Sequence, residues 1–217
     1  RLLLNRSVSD DAERNMISKL QTECGYQFTC KLEGMFQDMR ISAETMEAFK
    51  NYVASLEPGA LGGVELNVHV LTTGFWPTQP ATKCILPQEV TQCCEVFKKY
   101  YLERHSGRRL TWQTNMGTAE LRAQFGPKKH ELLVSTYQMC ILMLFNQSST
   151  LSFKDIQKST EIPIPDLKRN LTTLSSARYR ILLRKKASES GAGGMFLLVS
   201  TLVLYTLLKL NSNRGRR

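Results

Sequence analysis

The chain has 217 residues, 42% of them hydrophobic, enough for one or two packed domains, and a formal net charge of +10. That charge is unevenly placed: residues 1–176 hold 20 Lys and Arg against 18 Asp and Glu, whereas residues 177–217 hold 9 against 1. A nearly neutral body with a basic tail argues against a domain built to track phosphates and for a solvated or anion-seeking terminus.

The chain begins with Arg1 rather than Met and is expected to be a fragment. The cysteines are Cys24, Cys30, Cys84, Cys93, Cys94 and Cys140, with no signal-like segment before them, so they read as reduced thiols in the cytosol or nucleus. On that reading the sequons at Asn5, Asn146 and Asn170 are chance matches.

Asp10 followed by Glu13 has capping-box character, and Met16, Ile17, Leu20 and Cys24 recur at helical spacing. Gly25 interrupts, and Phe28, Leu32, Met35, Phe36 and Met39 continue the period, so one bent helix or two consecutive helices would fit. Residues 43–55 are predicted helical before Pro58, Gly59, Gly62 and Gly63 break the chain. At Val64 the period falls to two: Val64, Leu66, Val68 and Val70 alternate with polar residues until Gly74 and Pro77 end the strand. Residues 88–105 return to a helix with Val90, Cys94, Phe97, Tyr101 and Leu102 on one side. Leu110, Trp112 and Thr114 then alternate into Asn115-Met116-Gly117, which predicts a hairpin turn, with Leu121, Ala123 and Phe125 on the returning strand. Residues 130–135 are a further short strand. Three short helices are predicted over about 136–147, 152–160 and 165–176, with Pro165 at a first turn where its missing N–H costs nothing. Followed by basic extended sequence, they suggest a winged-helix arrangement, which in isolation would point to nucleic-acid binding.

Catalytic and metal signatures do not emerge. There is no Cys-x-x-Cys, His-Glu-x-x-His, G-x-S-x-G or phosphate-binding G-x-x-x-x-G-K-[ST], and the cysteine spacings read as core packing rather than zinc ligation. His69 sits on a strand, and His105 and His130 lie near element ends beside charged residues, which suits structural or solvated roles. A Cys/His pair is a distant enzymatic alternative. Trp76 and Trp112 read as core anchors first and interface anchors second.

Several motifs in order carry a family resemblance. Leu71-Thr72-Thr73-Gly74-Phe75-Trp76-Pro77 resembles the "LTTGxWP" signature at the entry to the α/β domain of cullins, the scaffolds of multi-subunit ubiquitin ligases. Upstream, Ser9 to Glu13, Lys19 to Gly25 and Lys31-Leu32-Glu33-Gly34-Met35-Phe36 match in family order. Downstream, Arg109 to Gln113 and Ser135 to Asn146 do so too. The wording is most similar to the branch that uses BTB-domain adaptors, and the resemblance covers residues 1–176.

The resemblance implies an α+β fold: residues 1–60 as the end of a helical bundle, and residues 64–176 as a mixed α/β domain with a winged-helix-like helical triplet. Residues 177–217 are left as a divergent basic and apolar tail. It also implies the partner, a zinc-bearing RING subunit whose N-terminal strand joins the sheet of the α/β domain. On that analogy the receiving strands are 64–73, 109–114, 119–125 and 130–135, and the partner-binding residues are Val68, Val70, Leu71, Trp76, Leu110, Trp112, Leu121 and Phe125. The chain would be a non-catalytic scaffold without a cofactor. The adaptor-holding repeats and the module bearing the modifier-accepting lysine lie outside it.

Departure from the family wording begins near Ser175, where Leu174-Ser175-Ser176-Ala177 replaces a Leu-Ala-Cys context and no "FxVNxxF" wing follows. The apolar run at 195–210 is the one segment that could meet a membrane. Its uncharged stretch from Met195 to Leu208 is shorter than the roughly 20 residues a spanning helix needs, so a sticky, poorly packed appendage is expected.

Overall fold

The computed structural model describes residues 10–57, 59–77, 82–125, 128–176, 180–185, 195–198 and 205–216. Two consecutive helices come first among the described residues, α1 (Asp10–Cys24) and α2 (Tyr26–Ala54). Gly25 separates them with φ 82, a left-handed conformation that a side chain would resist. The predicted helix at 43–55 is the second half of α2. Its buried residues are Thr29, Asp38, Ser42, Met46 and Phe49, a largely polar set. The apolar set read from the sequence is only half-buried, and Phe28 is 62% exposed.

Strand β1 (Glu65–Thr72) follows, with Leu66, Val68 and Val70 buried at every second position. Helix α3 (Gln88–Arg104) buries Val90, Cys93, Cys94, Phe97, Tyr100 and Tyr101. Phe97 meets the Phe49 ring edge-on at 5.0 Å and the Trp112 ring at 6.1 Å, and this aromatic contact joins α2, α3 and the next strand.

The hairpin expected at Asn115-Met116-Gly117 is not formed. Residues 108–125 make one strand, β2 (Arg108–Phe125), which returns instead as β3 (Lys128–Ser135). Both halves of β2 pair with the same neighbour, β7 (Tyr205–Arg216), so the chain keeps its direction through the glycine. Between the pairs Gln113↔Asn211 and Thr118↔Lys209, residues 114–117 stand opposite Leu210 alone. Turn-forming residues here build a bulge.

Beyond β3 come α4 (Thr136–Leu144), β4 (Thr150–Ser152), α5 (Phe153–Thr160), α6 (Ile164–Leu174), β5 (Leu182–Lys185) and β6 (Met195–Leu198). Ser135 with Gln138 and Ser152 with Asp155 form complete capping boxes that fix where α4 and α5 start. The predicted helical triplet is therefore present, and it carries a three-stranded antiparallel sheet in the order β4-β6-β5. Three helices with a small sheet and a β5–β6 wing make a winged-helix arrangement.

The larger sheet has the order β1-β7-β2-β3, with β7 parallel to β1 and antiparallel to β2. The fold is α+β. The tail is not the loose appendage expected from its composition: Leu182 is fully buried, and β7 lies between two strands of the body. Backbone pairing explains this, because β1 and β2 do not pair with each other and an extended segment between them satisfies the facing donors and acceptors of both. Among the described residues no helix is long and apolar enough to cross a membrane. Of the run at 195–210, residues 195–198 and 205–210 are strand, and the rest lies outside the described residues.

Two family-like motifs meet where α2 faces the turn after β1. A Cβ added to Gly34 would lie 2.6 Å from Phe75 ring carbons. Gly34→Val is expected to push Phe75 out and cost about 1–3 kcal/mol. In urea titrations the added Phe75→Ala change should cost less in the Gly34→Val background than alone; strict additivity would show that the contact does not couple them.

Candidate strand-acceptor site

The edge of β1 that faces α2 is closed by side chains instead of a strand. Val68 N–H donates to Met46 Sδ at 3.2 Å, Val70 N–H to Ser42 Oγ at 2.8 Å, and Thr72 N–H to Asp38 Oδ2 at 2.5 Å. Ser42 also donates its hydroxyl to the Val70 carbonyl at 3.0 Å. The match is geometric. Four helical residues rise about 6 Å and two strand residues about 6.6 Å, so positions 46, 42 and 38 of a helix running against the strand meet 68, 70 and 72 in turn.

Asp38 is fully buried and accepts two further hydrogen bonds, from Thr72 Oγ1 at 2.7 Å and from Trp76 Nε1 at 2.9 Å. A buried carboxylate needs such donors to offset its desolvation. Thr72 and Trp76 of the Leu71 to Pro77 motif supply them, and Gly74, at φ 99, makes the turn that brings the indole back.

With that edge closed, the slot-facing edge of β1 carries the remaining alternate N–H groups, those of Asn67, His69 and Leu71. Across the slot stands β2. Two sheet spacings separate β1 from β2, roughly 10 Å, the room for one strand. β7 fills it, with Val68↔Leu210, Val70↔Ser212 and Leu71↔Asn213 on one side and Leu110↔Arg214, Trp112↔Ser212 and Leu121↔Thr206 on the other.

Six of the eight residues picked from the sequence thus flank the slot: Val68, Val70, Leu71, Leu110, Trp112 and Leu121. Val68, Val70, Leu71 and Leu121 are buried, Leu110 and Trp112 half-buried. The other two do not flank it. Trp76 is tied to Asp38, and Phe125 pairs with Lys128 at the far end of β2, its side chain outside the described residues. Asp38, Ser42 and Met46 were missed. Their spacing of four was visible, but their mixed polarity hid them from a search for an apolar stripe.

The thiols divide by environment. Cys93, Cys94 and Cys140 are buried, in keeping with core packing, but Cys24 is exposed and Cys30 half-buried. Burial pushes the Cys94 thiol up to about 12. Cys84 and Cys140 have their sulfurs 3.8 Å apart in hydrogen-bond contact. That bond lowers Cys84 and, with burial, raises Cys140 well above the ordinary thiol range. His105 packs its ring on Tyr101 at 4.4 Å, and His130 is exposed on β3. Among the described residues no group of three or more His, Cys, Asp or Glu is placed to hold a metal ion.

The geometry defines an α+β platform with a clamped strand and a one-strand slot, and the comparisons name the family. Residues 1–46 match the cullin alpha solenoid domain and residues 70–201 the cullin alpha+beta domain. Cullin-3 of Dictyostelium discoideum is 60% identical over 192 residues, covering 88% of this chain and 25% of that protein. Cullin-3B of Arabidopsis thaliana is 58% identical over 187 residues, covering 86% and 25%. Cullin-4 of Dictyostelium discoideum is 46% identical over 193 residues, covering 88% and 24%. The chain belongs to the cullin family and is more similar to the Cullin-3 relatives than to the Cullin-4 ones. It spans about a quarter of the length of the relatives it matches.

Two outcomes follow from this geometry. Asp38→Ala, which strands the Thr72 and Trp76 N–H groups, should cost about 3 kcal/mol or more in urea unfolding; a loss under about 0.5 kcal/mol would show that the carboxylate does not hold the turn. In iodoacetamide labelling of the native protein, Cys24 and Cys84 should react well before Cys94 and Cys140, because burial and the shared hydrogen bond keep the latter protonated. Equal rates would refute that assignment.

Proposed function

We propose that this chain is the strand-accepting part of a cullin scaffold, which holds the RING subunit of a ubiquitin ligase during ubiquitin-dependent protein degradation. The observation that carries the proposal is the one-strand slot between β1 and β2, with the opposite edge of β1 closed by α2. A strand entering the slot gains backbone hydrogen bonds from both sides, which gives affinity, while the flanking side chains select what enters. Val68, Val70, Leu71, Leu110, Trp112 and Leu121 provide those flanks.

The role is positional. A rigid support that keeps a RING subunit and its charged conjugating enzyme near a held substrate converts an encounter between separate molecules into a local one, without a covalent intermediate on the scaffold. The clamp suits this, since a β1 held along its length by a 29-residue helix resists bending. Six free cysteines fit action in the reducing cytosol or nucleus.

Co-purification of the chain with a RING subunit tests the proposal, and capture is expected. In a Leu208→Pro background, which unpairs the chain's own β7 from the slot, His69→Pro removes a slot-facing donor of β1 and should weaken capture about tenfold or more relative to His69→Ala. Equal capture by the two variants, with unchanged Trp76 and Trp112 fluorescence, would rule out strand pairing at β1.

A further inference from the structure

The strand in the slot is the chain's own, and its two halves fit differently. Over 205–210 the sequence Tyr-Thr-Leu-Leu-Lys-Leu registers with buried partners: Leu208 with Leu66 and Ala119, Leu210 with Val68, Thr206 with Leu121. Aliphatic and β-branched residues belong in a strand flanked on both sides. Over 211–216 the sequence Asn-Ser-Asn-Arg-Gly-Arg does not. Ser212 registers with Val70 and Trp112, Arg214 with Thr72 and Leu110, and Arg216 with Arg108. Asn, Ser and Gly are poor strand formers, and like-charged residue types at paired register positions disfavour a ladder. On the same stretch of β2 the buried Gln113 Oε1 and Thr114 Oγ1 lack hydrogen-bond partners.

We propose that β7 is a displaceable plug: it occupies the acceptor slot in cis, is anchored by 205–210, and yields from its 211–216 end to an entering strand with apolar residues where Ser212 and Arg214 now stand. This inference rests on the preceding reading for the identity of the entering strand, that of the RING subunit, but not for the plug itself. Displacement exchanges one set of backbone hydrogen bonds for another, so the difference is made by side-chain fit in the Val70 to Thr72 and Leu110 to Trp112 region. Affinity for the incoming strand is reduced by the fraction of molecules whose slot is closed. The clamp makes this tolerable: with Val68, Val70 and Thr72 N–H groups bonded to α2, β1 remains in place when β7 leaves.

Residue-resolved hydrogen exchange of the full chain and of Leu208→Pro, joined to measurement of RING-subunit affinity, tests both layers. In the free wild-type chain the slot-facing amides should grade, Asn67 exchanging at least about tenfold more slowly than Leu71. In Leu208→Pro, protection should fall at Asn67, His69 and Leu71 and persist at Val68, Val70 and Thr72, and the RING subunit should bind about tenfold more tightly or better. The exchange pattern without any RING binding by either protein would uphold the plug and overturn the RING reading. Unchanged exchange, or simultaneous loss at Val68, Val70 and Thr72, would overturn the plug, and wild-type RING binding would then stand on its own. Slot protection that vanishes on dilution together with a dimer would place a second copy's β7 in the slot and overturn occupancy in cis.

Discussion

Everything in the larger sheet depends on one contact, the meeting of Asp38, Ser42 and Met46 with alternate N–H groups of β1. A strand has two hydrogen-bonding edges, and one left open recruits whatever extended chain is near. Helix α2 removes that freedom on one side while leaving the other available. The sheet can therefore grow only toward β2. The same carboxylate that ends the ladder fixes the Trp76 turn, so the exit of β1 and its pairing direction are set by a single buried side chain that accepts from both Thr72 and Trp76.

The rest of the molecule supports the two walls of the slot. Phe97 on α3 touches both Phe49 of α2 and Trp112 of β2, which makes α3 a spacer between the clamp and the second wall. At the other end of the sheet, β3 runs directly into α4, whose buried Met139, Ile141 and Leu142 join the winged-helix arrangement to the common core. The backbone of Ile85 donates to the Thr160 carbonyl at 2.8 Å, tying the segment before α3 to α5. Slot and helical module are thus parts of one packed body.

The tail shows how composition and position can disagree. A basic, Asn- and Arg-rich ending with an apolar run reads as unpacked when taken alone, yet hydrogen-bonding demand is blind to side chains. Two strands with facing unpaired edges accept an extended segment on backbone grounds, and side-chain fit then determines how firmly it is held. That separation between pairing and fit underlies both the partner reading and the plug.

The period-two run from Val64 to Val70, the helical period around Phe97 and the prolines at the start of α6 were legible because each local pattern matches the geometry of the element it forms. The ordered motifs likewise located the family. What tertiary structure alone decided lies where one residue type serves two geometries. Asn115-Met116-Gly117 can turn or bulge, and the common partner β7 selected the bulge. Asp38 and Ser42 look like solvent-facing helix residues until β1 presents its N–H groups, since the energy that buries them comes from a strand some thirty residues away. The sequence by itself determined the elements and their chemistry; which edges meet was decided only by folding, because backbone donors and acceptors are the same at every residue and carry no address.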